Sequence, residues 1–85
     1  MKVYTIVIAP TARKQIDALP PHIKQRIGNS LQVVVRDPFI GKALKADLEG
    51  LYSYRVGDYR IIYAIVRHML MVQVVKVMHR REVYR

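Results

Sequence analysis

The chain has 85 residues, of which 52% are hydrophobic, so one small domain with a sizeable core is expected. Fifteen Lys and Arg against six Asp and Glu give a formal net charge of +9. This excess favours a polyanionic partner, a nucleic acid first and an acidic protein second. A generically basic soluble domain is the plain alternative. The sequence has no cysteine, which excludes disulfides and thiolate metal sites and fits a reducing compartment.

The N-terminal part of the chain predicts a strand and two helices. Residues 2–8 are rich in Val, Ile and Tyr, which indicates a strand, and the stretch is too short for a membrane span. Apolar residues then recur at helical spacing in one segment that begins at Pro10 and in a second from Pro21 to Arg36. We expect a helical hairpin whose apolar stripes cover a sheet. Gly28 predicts close packing of the second helix on a neighbour.

A basic connection follows the helices. Residues 39–50 read FIGKALKADLEG, and Lys42 and Lys45 give this segment positive charge. Functional loops often lie in such connections, although a surface loop with two lysines is also ordinary.

The segment Leu51–Tyr63 predicts a β-hairpin. Strand-forming residues flank Gly57-Asp58, and a glycine first in a two-residue turn supplies the positive φ that the turn requires. With that turn, Arg55 lies directly opposite Arg60. Like charges in this position destabilise a sheet by about 0.2–1 kcal/mol, and a phosphate between the two guanidinium groups would relieve the repulsion. Two solvated arginines are the alternative interpretation.

A last strand is predicted from Met69 to Met78, after a turn at Arg67-His68. With that turn Arg60 faces Val75, so the odd-numbered residues of the last strand share the arginine face. The predicted fold class is α+β: an N-terminal strand, a helical hairpin and a three-stranded antiparallel meander, with the helices packed on one face of one sheet.

The C-terminal segment, HRREVYR, adds further candidates near the hairpin arginines. His79 is the obvious proton-transfer group by residue type, but it could also merely end the strand. Tyr84 could transfer a proton if positive neighbours lower its pKa, or it could stack on a base or pack the tail on the sheet. Arg80 and Arg81 lie between them.

The stretches LEGLYSYRVGDYRIIYAI and HRREVY resemble the RelE/ParE toxin superfamily, specifically its RelE-like branch. The layout agrees along nearly the whole chain. The resemblance implies a single toxin domain over residues 1–85 with the RelE/ParE-like fold.

The resemblance also implies a function. RelE-like toxins of type II toxin–antitoxin systems are endoribonucleases that cut translated mRNA on the ribosome, without a metal or other cofactor. The RNA 2′-hydroxyl attacks the adjacent phosphorus, leaving a 2′,3′-cyclic phosphate and a 5′-hydroxyl. The implied partners are a cognate RelB-like antitoxin, the ribosome with its mRNA, and operator DNA only through the antitoxin. The resemblance implies no membrane partner, and the implied compartment is the bacterial or archaeal cytoplasm.

Catalytic positions carry over unevenly from this family. The arginine of the family's YR motif corresponds to Arg60, and the last basic position of the preceding strand corresponds to Arg55. The arginine that follows the last strand corresponds to Arg80, and the C-terminal tyrosine corresponds to Tyr84. A further lysine of the family falls on Ser53. His79 is a candidate to replace the terminal histidine of a sister branch, although its position is not an exact match. The loop glutamate of that branch is absent here, because Ala43 lies near that place. The resulting candidates for RNA binding are Lys42, Lys45, Ser53 and Arg81.

Two other functions stay open. One is a ParE-like inhibitor of DNA gyrase without nuclease activity, against which the arginine pair and the HRREVY tail argue. The other is a catalytically silent antitoxin-binding module or corepressor, which the serine at position 53 and the absent loop glutamate keep open.

Overall fold

The computed structural model describes residues 3–83. The described residues form five strands and three α-helices, joined by short 3-10 turns. In chain order the elements are β1 (Thr5–Ile8), α1 (Pro10–Asp17), α2 (Pro21–Arg36), β2 (Lys42–Ala43), β3 (Leu51–Val56), β4 (Tyr59–Val66), β5 (Met71–His79) and α3 (Arg80–Val83).

Prolines define where the two long helices begin. Pro10 and Pro21 occupy the first helical position, where the missing N–H is one that the helix would leave unpaired. The predicted bounds of α2 are confirmed. None of the helices in residues 3–83 is long and apolar enough to cross a membrane. The two apolar stripes bury Ala12, Ile16, Ile27, Leu31 and Val34 against the sheet.

Gly28 does not mark a packing contact, so that prediction was wrong. It lies on the exposed side of α2, and a Cβ at this position would meet no atom within 4 Å. The buried stripe runs through Ile27 and Leu31, which turns position 28 towards solvent.

The sheet has the order β1-β5-β4-β3-β2. β1 runs parallel to β5, and the other neighbours are antiparallel. The predicted α+β class, with two helices on one face of a sheet, is confirmed. The connection contributes one feature that the sequence did not predict, because Lys42–Ala43 pair with Tyr52–Ser53 as an edge strand.

The predicted pairing of Arg60 with Val75 was wrong, because Arg60 pairs with Met78. The connection between β4 and β5 spans four residues, 67–70, and this shifts the register by two residues without changing faces. A β-bulge between Ile62 and Tyr63 then adds one more residue on β5, and a shift of one residue moves side chains to the other face. Odd-numbered residues of β5 therefore share the arginine face before the bulge, and even-numbered residues share it after.

Tyr63 ties the connection to the core. Its ring is fully buried, and its hydroxyl donates a hydrogen bond of 2.7 Å to the carbonyl oxygen of Pro38. Burial raises the pKa of Tyr63 to about 12. This contact fixes the start of the connection, which then continues as β2 beside β3.

Candidate anion-binding site on the sheet

The hairpin turn places Arg55 and Arg60 side by side at one end of the sheet. Gly57 adopts a φ of 60°, a left-handed conformation that glycine takes without steric cost. β3 and β4 therefore pair in the predicted register, and Arg55 lies directly opposite Arg60. The sequence prediction of this like-charge pair is confirmed.

Each arginine of the pair is held by a neighbouring oxygen atom. The Nε of Arg55 donates to the carbonyl oxygen of Gly57 at 3.0 Å, and the Nη1 of Arg60 makes a long contact of 3.5 Å with the hydroxyl of Ser53. A guanidinium group carries five N–H donors, so these contacts orient the groups and leave donors for an anion. Ser53 is only 4% exposed, so its clearest role is to orient Arg60.

The start of α3 brings a third arginine to the hairpin. The backbone N–H of Arg80 donates to the carbonyl oxygen of Asp58 at 2.7 Å, which fixes the end of β5 against the turn. Nη1 of Arg80 lies 3.7 Å from a carboxylate oxygen of Asp58, and both side chains are 61% exposed. The three arginines line a cavity of about 90 Å³, together with Gly57, Asp58 and Tyr59. We call this the arginine cavity.

His79 lies at the predicted end of the sheet but not on the predicted face. It pairs with Tyr59, and the two rings meet edge to face with centroids 5.1 Å apart. Tyr59 packs against the helix-side core, so His79 also faces away from Arg60. Its Nδ1 accepts a hydrogen bond of 3.3 Å from the backbone N–H of Arg81. The bulge in β5 is the physical reason for this correction.

The other predicted site residues that the structure describes do not line the arginine cavity. Arg81 is exposed on α3, and Lys42 and Lys45 are exposed on the connection. Tyr84 lies outside the described residues.

A second cavity lies beside the first, on the face of the sheet that α1 and α2 do not cover. We call this the helix-free face. It has a volume of about 340 Å³ and shares Arg60 with the arginine cavity. Lys42 and Ser53 contribute polar groups, and the apolar lining comes from Leu44, Leu48, Ile62 and Met78. The connection therefore turns the helix-free face into a groove with a basic rim.

Two residues near the site were missed by the sequence interpretation. Asp58 is a carboxylate in the arginine cavity, although it had been considered only as a turn residue. Lys76 pairs with Ile62 and shares the face of Arg60, because the bulge shifts the strand. The turn position of Asp58 already places it beside the hairpin arginines, whereas no sequence signal marks the bulge.

The site is suited to binding and neutralising an oxyanion. Planar guanidinium groups stay charged and bind phosphate oxygens in pairs, but they do not readily accept protons. In the part of the chain that is described, no group of three or more His, Asp or Glu side chains is arranged to hold a metal ion.

Comparison with known proteins decides the family. Residues 6–84 match the family model described as the ParE toxin of the type II toxin–antitoxin system parDE. The chain is 34% identical to toxin RelG of Mycobacterium tuberculosis, with 96% of this chain and 97% of the relative covered. The chain belongs to the RelE/ParE family of type II toxins.

Two further comparisons agree with this RelE/ParE assignment. The chain is 34% identical to toxin RelE of Mycobacterium tuberculosis, over 96% of this chain and 87% of the relative. The fold is similar to that in the crystal structure of the toxin–antitoxin complex RelBE2 of the same organism. That match has a TM-score of 0.86 and 32% identity, and it covers 92% of this chain and 99% of the other.

Proposed function

We propose that this RelE/ParE family member is a ribosome-dependent endoribonuclease that cleaves translated mRNA by attack of the 2′-hydroxyl on the adjacent phosphorus. The observation that carries the proposal is the convergence of Arg55, Arg60 and Arg80 on one cavity of about 90 Å³. In-line attack builds negative charge on the phosphate oxygens, and preorganised cations stabilise that charge most where it develops.

The residues divide the chemistry between them. Arg55 and Arg60 bind the non-bridging oxygens of the scissile phosphate, and Arg80 adds the third positive charge. Tyr84 is the proposed proton-transfer group, since the guanidinium groups cannot supply a base. His79 is the second candidate, although it lies on the face opposite to Arg60. His79→Gln and Tyr84→Phe distinguish the two, because only loss of the proton-transfer group should lower the cleavage rate.

A RelB-like antitoxin is the proposed protein partner, and operator DNA is bound only through it. The similarity to a toxin that crystallised in a toxin–antitoxin complex supports this proposal. The formal net charge of +9 also suits an acidic wrapping chain and an RNA substrate. The proposed site of action is the cytoplasm, where translated messages are found.

The deciding experiment is induction of the protein in a host without the antitoxin, followed by primer extension on a translated message. We expect growth arrest and cuts within the translated region. Arg60→Ala should lower cleavage roughly 100-fold or more, as expected for loss of a group that stabilises transition-state charge. Arg13→Ala removes an exposed arginine of α1 and should cut as wild type. Full cleavage by a folded Arg60→Ala protein would refute the phosphate-binding role.

A second candidate is inhibition of DNA gyrase. It is favoured by the name of the matching family model, which is that of a ParE toxin. The same induction distinguishes it, because the message would stay intact while DNA synthesis stops. Arrest of neither process would favour a catalytically silent antitoxin-binding module.

A further inference from the structure

One cross-strand row of side chains spans the helix-free face. Lys42 pairs with Ser53, Ser53 with Ile62, and Ile62 with Lys76. Directly paired residues of antiparallel strands point to the same face, so all four side chains share it. The row therefore carries a lysine at each end.

The bulge in β5 is what brings Lys76 into this row. Val74 and Val77 both face the core, so Lys76 is turned to the open face after the extra residue. The paired part of β1 ends opposite Val74, which leaves the following part of β5 at the sheet edge. There the side-chain oxygen of Gln15 accepts a hydrogen bond of 2.7 Å from the N–H of Val77, so this group is paired although no strand lies beside it.

The arginine pair lies beside the middle of this row. Arg55 and Arg60 occupy the next row on the same face, two residues along their strands from Ser53 and Ile62. Three strand spacings separate Lys42 from Lys76, roughly 14 Å, which is far wider than one phosphate group. The two lysines therefore cannot share a phosphate. The described side chains include no ion-pair partner for Lys76, which leaves its ammonium group available.

We propose that Lys76 is a phosphate-binding residue, and that the RNA backbone crosses the strands from Lys42 to Lys76 with the scissile phosphate at the Arg55–Arg60 pair. This inference rests on the proposed function and deepens it, because it gives the path of the substrate. At least three successive phosphates are then contacted. The apolar surface of the groove takes the faces of the intervening bases, and Met78, Leu44 and Leu48 provide its accessible part.

The test measures binding of a dye-labelled 2′-O-methyl RNA hexamer, which lacks the attacking hydroxyl and is not cleaved. For single strands the logarithm of the binding constant falls with the logarithm of salt by about 0.7 per phosphate neutralised. Lys76→Gln should weaken binding several-fold and lower this slope by about 0.7. Lys76→Arg should keep the wild-type slope. The matched control is Lys24→Gln, which removes an exposed lysine of α2 and should also keep it.

A second readout uses programmed ribosomes, on which Lys76→Gln should raise KM several-fold and retain kcat, as expected for a contact away from the scissile bond. If Lys76→Gln and wild type have equal salt slopes of RNA binding and equal KM, the proposed RNA path is wrong. Loss of cleavage in Arg60→Ala would in that case still support the nuclease proposal. Wild-type protein that neither binds the hexamer nor cuts messages would overturn both.

Discussion

At the residue scale, Asp58 is the one carboxylate among the described residues that lines the arginine cavity, and we expect it to oppose binding of the proposed phosphate there. It lies 3.7 Å from Arg80, but both side chains are largely exposed, so the pair adds little stability. We expect Asp58→Asn to change the free energy of unfolding by less than about 0.5 kcal/mol. Binding of RNA should tighten, because a negative charge is removed from the cavity. Weaker binding in an anisotropy titration would show that Asp58 instead orients Arg80.

Tyr63 makes stability depend on pH in the alkaline range. Burial raises its pKa to about 12, whereas in the unfolded chain the phenol titrates near its ordinary value of about 10. A raised pKa in the folded state stabilises the protein below pH 10, and this contribution is lost as the pH rises from 10 to about 12.

The corresponding variant is Tyr63→Phe. At neutral pH it should cost about 1 kcal/mol, because the hydrogen bond to Pro38 is lost. Between pH 10 and 12 the free energy of unfolding of wild type should fall by on the order of 2 kcal/mol more than that of the variant. Chemical denaturation at several pH values measures both. Parallel pH curves for the two proteins would contradict the assignment.

At the scale of elements, the hairpin could be predicted from sequence and the last strand only in part. Gly57-Asp58 fixes the register of β3 and β4, so the opposition of Arg55 and Arg60 follows by counting. The register of β5 depends on a longer connection and on a bulge, and neither has a local sequence signature. An error of one residue changes the face, which is why His79 was misplaced and Lys76 was missed.

Two glycines in different elements predict opposite effects of the same substitution. A Cβ at Gly41 would clash with the hydroxyl of Tyr63 and lie 3.0 Å from the backbone oxygen of Ser53. Gly41→Ala should therefore destabilise by about 1–3 kcal/mol and loosen the anchored connection that carries Lys42. Gly28→Ala, on the open side of α2, should stabilise by up to about 1 kcal/mol. Urea unfolding of the two variants measures both changes, and destabilisation by Gly28→Ala would reveal a contact that the structure lacks.

At the scale of the whole molecule, the order of elements was predictable because prolines and periodicity delimit them. The chain is divided into one strand, two helices and a meander by Pro10, Pro21 and the hairpin turn. The family that the chain resembles in this order of elements and in its basic composition is the one whose model matches residues 6–84. The edge strand β2 was not predictable, since two residues are too few to show a period. It forms because the Tyr63–Pro38 hydrogen bond holds the connection beside β3.

The salt dependence of RNA binding distinguishes the effect of net charge from the effect of where the charges lie. If the formal +9 alone bound RNA, any two cations would be equivalent. We compare Arg55→Gln/Arg60→Gln with Lys14→Gln/Lys24→Gln, a pair of exposed helix lysines, because both double variants lose two positive charges. The arginine variant should lower the salt slope of RNA binding by about 0.7, because the two arginines share one phosphate, whereas the lysine variant should keep the wild-type slope.

The comparison is informative only if both variants fold, so thermal unfolding is measured alongside. Replacing Arg55 and Arg60 removes a like-charge pair from facing strands, and this variant should be at least as stable as wild type. Equal loss of slope in the two variants would show that RNA is held by the general field of a basic protein. A loss confined to the arginine variant would locate binding on the helix-free face, because the helices that carry Lys14 and Lys24 cover the opposite side of the sheet.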